Sequence, residues 1–196
     1  MPATAWEGGD SLERVATEVR GCVRCRLAEF RTHAVPGSGA ADAPLVLVGE
    51  APGAREDATG LPFQGAAGRF LDGVLEGLGV DRRRLYITSV NKCRPPRNRV
   101  PRADERAACR GYLQRQLELI RPQVVLAMGT TAAAALHPHC PSNPRLSDLR
   151  GAVVDLNPGQ VLLVSAHPAA AMRFPALRAP FLEDLARACG AAGLIA

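Results

Sequence analysis

The chain has 196 residues, of which 47% are hydrophobic, 22% charged and only 4% aromatic, a composition that supports one full-sized core and excludes a disordered protein. The amino terminus, MPATAWEGGD, has acidic residues and no apolar h-region, and no apolar run approaches the ~20 residues of a membrane helix. The expectation is a soluble, cytoplasmic protein that makes no contact with a membrane and works as a monomer. Its six cysteines are then available to metal, catalysis or packing rather than to a disulfide framework.

The formal net charge of +5 is unevenly spread. From Arg82 to Arg121 there are twelve basic residues against three acids, so this segment carries +9 and the rest of the chain −4. A basic segment on an acidic body suits a polyanion partner. The single lysine, Lys92, lies within it.

In chain order, Ser11 to Val19 spaces its apolar positions as a helix does, with Ser11 as the cap, and runs into Cys22-Val-Arg-Cys25. A turn-rich link, Val35-Pro-Gly-Ser-Gly39, precedes Leu45-Val-Leu-Val48, a short continuous apolar run of the kind found in buried parallel strands. Helix is then expected at Phe70 to Leu78, Ala103 to Ile120, Thr130 to Leu136 and Phe181 to Cys189. Strand is expected at Leu85 to Val90, Val124 to Met128 and Val161 to Ser165. Strands separated by helices predict an α/β fold with a mostly parallel sheet and helices on both faces. Without a repeat or a linker that would divide it, the whole chain, residues 1–196, reads as a single domain.

Functional groups in such sheets gather at the carboxyl ends of the strands. Three predicted strands end in unusual polar residues, at Gly49-Glu50-Ala-Pro-Gly53, at Ser89-Val-Asn91-Lys-Cys93 and at Ala166-His167-Pro168. Glu50, Asn91 and His167 would thereby meet in one crevice as an acid/base or recognition site. Two pairs of cysteines, Cys22 with Cys25 and Cys93 with Cys109, supply four thiolates, enough for zinc or for an iron-sulfur centre.

Taken together, the motifs are specific. Gly49-Glu-Ala-Pro-Gly53, Glu56-Asp57, Gly60-Leu-Pro-Phe63, Gly65-Ala-Ala-Gly68, Tyr86-Ile-Thr88, Lys92-Cys-Arg-Pro-Pro-Arg-Asn-Arg99 and His167-Pro-Ala-Ala-Ala-Met-Arg173 resemble, in order, the iron-sulfur class of uracil-DNA glycosylases known as family four. The resemblance implies a three-layer α/β/α fold with a short central sheet, and a repair enzyme that flips uracil out of single- or double-stranded DNA and hydrolyses its N-glycosidic bond. It implies a 4Fe-4S cluster on Cys22, Cys25, Cys93 and Cys109, with Cys140 and Cys189 left over as packing residues.

The resemblance also distributes roles. Phe63 is the stacking platform, His167 donates to the uracil oxygen that gathers charge, and the backbone from Ala51 to Gly53 lines the pocket. Ala51 stands where other glycosylase classes place a water-orienting aspartate, so that contribution passes to Glu56 and Asn98, with Glu50 a further candidate. The family's usual Asn, which reads the uracil edge, is replaced here by Ser89. Asn91, two residues along, is the candidate to restore the amide if the strand continues. Arg94, Arg97, Arg99 and Arg173 would neutralise phosphates, and Met172 is the candidate wedge that fills the gap left by the flipped base. Relatives that trap uracil-DNA do so through a histidine in the loop after the third cysteine, and Arg94 to Ala108 contains none. Trapping without turnover is therefore the runner-up to hydrolysis. A phosphate-binding module is weaker still, because no glycine-rich phosphate motif follows a strand.

Overall fold

In the computed structural model, which describes residues 9–141 and 144–195, the centre of the sheet is built from segments buried on both faces. The amino-terminal stretch read above for targeting lies outside the described residues except for its last two. Helix α1 (Leu12–Arg20) is capped by Ser11, whose hydroxyl accepts from the Arg14 amide. The chain then forms β1 (Ser38–Gly39), β2 (Leu45–Gly49), α2 (Ala54–Thr59), α3 (Ala66–Gly77) and β3 (Tyr86–Ser89). Next come α4 (Ala103–Ile120), β4 (Val124–Met128), α5 (Thr130–Leu136), α6 (Leu146–Leu149), β5 (Val154–Asn157), β6 (Gln160–Ser165), α7 (Pro168–Arg173) and α8 (Arg178–Ala191).

The six strands form one sheet in the order β1-β3-β2-β4-β6-β5. Its four central strands are parallel, and the short β1 and β5 add antiparallel edges. Alternate side chains feed two cores. Leu45, Leu47, Ile87, Leu126 and Leu163 pack against α3 and α8 through Leu71, Leu75, Phe181 and Leu185. Val46, Val48, Val125, Leu162 and Val164 face Leu113 and Ile120 of α4 and Ala132 and Ala133 of α5. This is the expected three-layer α/β/α arrangement. A third cluster joins Val15, Val19 and Leu27 to Cys93, Cys109 and Tyr112, fastening α1 to α4.

Five short elements go beyond the expected pattern. Helix α2 has no apolar period to announce it; its start is set by the Glu56 carboxylate reaching back to the Gly53 amide. Helix α7 occupies the stretch after His167, with Pro168 in its first turn, where a missing amide costs nothing. β5 is an alternating edge strand in a hairpin with β6. β1 and α6 are the remaining two. Among the described residues, no helix is long and apolar enough to cross a membrane.

Candidate active site

From β2 the chain crosses to β3 on one side and then returns to β4 on the other. At such a reversal the loops diverge and leave a crevice outside the strand ends. A cleft of about 770 Å³ opens there, and the ends of β2, β3, β4 and β6 deliver Glu50, Ser89, Thr131 and His167 to it. Ala51, Gly53, Glu56, Phe63, Asn98 and Arg173 also line it.

Phe63 and His167 form the centre of this cleft, with ring centroids 5.8 Å apart and planes 28° from parallel. Phe63 is buried and has a left-handed backbone, φ 53°, a conformation that a bulky residue adopts only when its surroundings impose it. Two glycines permit the pose. A Cβ on Gly68 would lie 1.8 Å from the Phe63 carbonyl oxygen, and one on Gly49 would lie 2.9 Å from its ring. Arg82 adds a tether, its guanidinium donating to the Pro62 carbonyl at 2.8 Å while also meeting Asp72.

His167 caps α7. Its Nδ1 accepts from the Ala169 amide at 3.2 Å, so the ring proton resides on Nε2. Burial pushes the imidazole down to about 4, against the opposing pull of Glu56. At neutral pH the ring is therefore an uncharged donor through Nε2–H.

The carboxylates divide their work. Both Glu56 oxygens accept backbone amides, from Gly53 at 3.0 Å and from Gln64 and Gly65 at 2.7 Å each, so Glu56 fixes the loop that carries Phe63. Asn98 accepts from Arg94 Nε at 2.7 Å. Glu56 and Asn98 both line the cleft, each held by a partner other than the other. Glu50 receives the Thr131 hydroxyl on one oxygen and has no partner for the other among the described residues. Thr131 was missed in the sequence, although Gly129 with φ 94° ahead of a short helix marks the end of β4 as a further loop of the crevice.

Ser89 lines the cleft, but Asn91 does not. The strand ends at Ser89, the chain turns, and the Asn91 amide points into the protein, where Nδ2 donates to the Glu105 carbonyl at 3.0 Å. Asn91 is 1% exposed. The expectation that it reads the base is corrected, because the continuing strand that argument required is absent. Lys92 is also buried. Its ammonium donates to Thr88 Oγ1, the Ser89 carbonyl and Gln116 Oε1 at 2.6–2.8 Å, pinning the strand end beneath Ser89.

Arg97 and Arg173 are exposed and have no ion-pair partner among the described residues. Arg99 is engaged: it grips Glu105 through two hydrogen bonds of 2.6 and 2.8 Å and thus closes the basic loop instead of presenting a free cation. Met172 is exposed on α7 and does not line the cleft, whereas Phe174, two residues on, does.

Cys22, Cys25, Cys93 and Cys109 line one small cavity between α1, α4 and the loop after β3. Nitrogen donors already face three of the sulfurs. Arg31 Nη1 lies 3.0 Å from Cys93, the Lys92 amide 3.3 Å from Cys109 and the Arg24 amide 3.5 Å from Cys22, donors whose hydrogen bonds a metal-bound sulfur would accept. Burial pushes the free Cys109 thiol up to about 11. Among the described residues, no three His, Cys, Asp or Glu side chains converge on a single-ion position; the four cysteines line the same cavity. Cys189 is buried in the core, as expected of a packing residue, and Cys140 packs against the opposite face of the sheet.

A mostly parallel α/β sheet with an aromatic–imidazole pair at its switch point, a free carboxylate edge beside it and a basic loop at its rim has the features of a site for a planar group with anionic surroundings. Residues 36–187 match the uracil DNA glycosylase superfamily. A type-4 uracil-DNA glycosylase of Sulfurisphaera tokodaii is 41% identical over 180 residues, covering 89% of this chain and 82% of its own length. One from Thermotoga maritima is 38% identical over 179 residues, covering 90% and 92%. A type-5 uracil-DNA glycosylase of Thermus thermophilus is 36% identical over 149 residues, covering 68% of each. The chain belongs to the uracil-DNA glycosylase superfamily, within its type-4 group.

Proposed function

We propose that this chain excises uracil from DNA by hydrolysing the N-glycosidic bond and leaves an abasic site. The observation that carries the reading is the stacked Phe63–His167 pair at the centre of the cleft, with His167 held neutral and its Nε2 protonated. The extruded base lies against Phe63. As the bond to C1′ breaks, its electron pair passes to uracil N1 and charge accumulates on the adjacent carbonyl oxygen, to which His167 Nε2–H donates. A donor that meets this charge only as it develops stabilises the transition state more than the ground state.

Glu50, steadied on one oxygen by Thr131, uses the other to orient the attacking water and to face the positive charge that builds on the sugar. Glu56 acts earlier, by holding the Phe63 loop in place. Ser89, at the floor of the cleft, contacts the base edge through a hydroxyl that both donates and accepts. Arg97 and Arg173 take phosphates, a positioning contact without sequence readout. Turnover is favoured over trapping because Arg94 to Ala108 offers no histidine nucleophile.

Cys22, Cys25, Cys93 and Cys109 would hold a 4Fe-4S cluster. Four thiols suit zinc as well as an iron-sulfur centre as a donor set, and the resemblance to the iron-sulfur class of the family favours the cluster. When bound, the cluster supplies a covalent brace between α1, α4 and the basic loop. The free cysteines suit a reducing cytoplasm. The reading is tested by incubating the purified protein with an oligonucleotide containing one uracil, then cleaving with alkali. A single strand break at the uracil position supports it, and an intact strand contradicts it.

A further inference from the structure

Two large apolar side chains stand exposed on the rim of the cleft, Val100 at 59% and Phe174 at 52%. They come from opposite flanks. Val100 lies in the loop after β3 and Phe174 directly follows α7, beyond β6, so the ends of β2 and β4 separate them. Neither joins a hydrophobic cluster of the described core.

Both are held on anchored backbone. The Phe174 amide donates to the Ala170 carbonyl at 2.9 Å and its own carbonyl accepts from Leu177 at 2.9 Å, with Pro175 following. The Val100 carbonyl accepts from Arg99 at 3.0 Å, and Arg99 is clasped to Glu105. Isolated exposed apolar residues are ordinary on any protein. These two differ in lining one functional cleft from opposite flanks, each near an exposed cation without an ion-pair partner among the described residues: Arg173 adjoins Phe174, and Arg97 lies three residues before Val100. An apolar side chain next to a phosphate-seeking cation matches one nucleotide, which presents a flat apolar base and an anionic backbone.

Resting on the reading that the cleft takes a uracil nucleotide from DNA, we propose that Phe174 and Val100 pack against the bases on either side of the extruded uracil, one on each side. The strand is thereby pinched at the mouth while the uracil is held below. Phe174 takes the place in this account that the sequence assigned to Met172.

The test is a set of coupling cycles on binding to an oligonucleotide whose uracil nucleotide carries a non-hydrolysable sugar. The neighbour on one side or the other is replaced by an abasic spacer. For the wild type, each spacer should weaken binding, by about tenfold on the Phe174 side and by less on the Val100 side. Phe174→Ala should weaken binding to the parent strand by about tenfold and lose little more with the spacer on one side only. Val100→Ala should show the same non-additivity with the other side. Fully additive losses, coupling of both variants to the same neighbour, or binding unchanged in Phe174→Ala would overturn the proposal. Phe174→Trp should retain or tighten binding, which loss of fold would not permit. Excision from the cleavable parent strand by the wild type is measured alongside. Failure there defeats the glycosylase reading itself, whereas excision without coupling defeats the pinch alone.

Discussion

At the residue scale, the proposed chemistry turns on a histidine whose neutrality is built by burial and whose tautomer is fixed by one amide. Because the folded imidazole titrates near 4 instead of 6.5, a single-turnover rate–pH profile should show no loss through pH 6.5 and should decline only as pH falls toward 4; an inflection near 6.5 traceable to His167 would contradict this. The same shift is linked to stability. The unfolded chain takes the proton first, so the contribution of the neutral ring is complete above pH 6.5 and shrinks as pH falls toward 4. Base reading is the other single-residue question. Ser89 reaches the cleft and Asn91 does not. Ser89→Asn should therefore sharpen the preference for uracil over other deaminated bases, while Asn91→Ala should leave that preference unchanged and cost about 1–2 kcal/mol of stability through its lost bond to Glu105. Single-turnover excision of uracil, hypoxanthine and xanthine, together with thermal melts, checks both.

At the scale of elements, the basic loop after β3 is held by a clasp rather than by packing. The Glu105 side chain is fully buried, accepts two bonds from Arg99 and one from the Arg102 amide, and titrates near 2. Its contribution is present above pH 4.5 and is lost as pH falls through about 2. Glu105→Gln should cost roughly 2–3 kcal/mol and weaken DNA binding as the loop loosens; an unchanged melting temperature would show that the clasp carries no stability. The central parallel strands were legible because their runs are apolar on both faces, and α4 was legible from its length. Helix α2 was not, because Ala54–Thr59 has no apolar stripe and exists through a bond from Glu56 to the backbone. The Asn91 assignment failed for a related reason: same-face reasoning holds only while a strand continues, and β3 ends at Ser89, after which Asn91 and Lys92 both turn inward. His167 was legible as a strand-end residue, but Thr131, the partner of Glu50, lies at the one central strand end whose side chains looked ordinary.

At the scale of the whole molecule, three hydrophobic clusters divide the labour. Two sandwich the sheet that presents the cleft, and the third ties α1 and α4 together around four cysteines. Protein purified without oxygen should contain iron and acid-labile sulfide. Cys93→Ala should lose both, melt earlier and bind DNA less tightly, whereas Cys189→Ala should keep the metal; stoichiometric zinc without iron would contradict the cluster. The central claim is that the cleft breaks the bond between uracil and deoxyribose, with His167 stabilising the departing base. The most direct measurement is the single-turnover rate of uracil release from a defined oligonucleotide, compared between wild type and His167→Ala at saturating protein. The account predicts release by the wild type and a fall of roughly 10²–10³ in the variant, with binding little changed. Release at equal rates in both, or by neither, would contradict it.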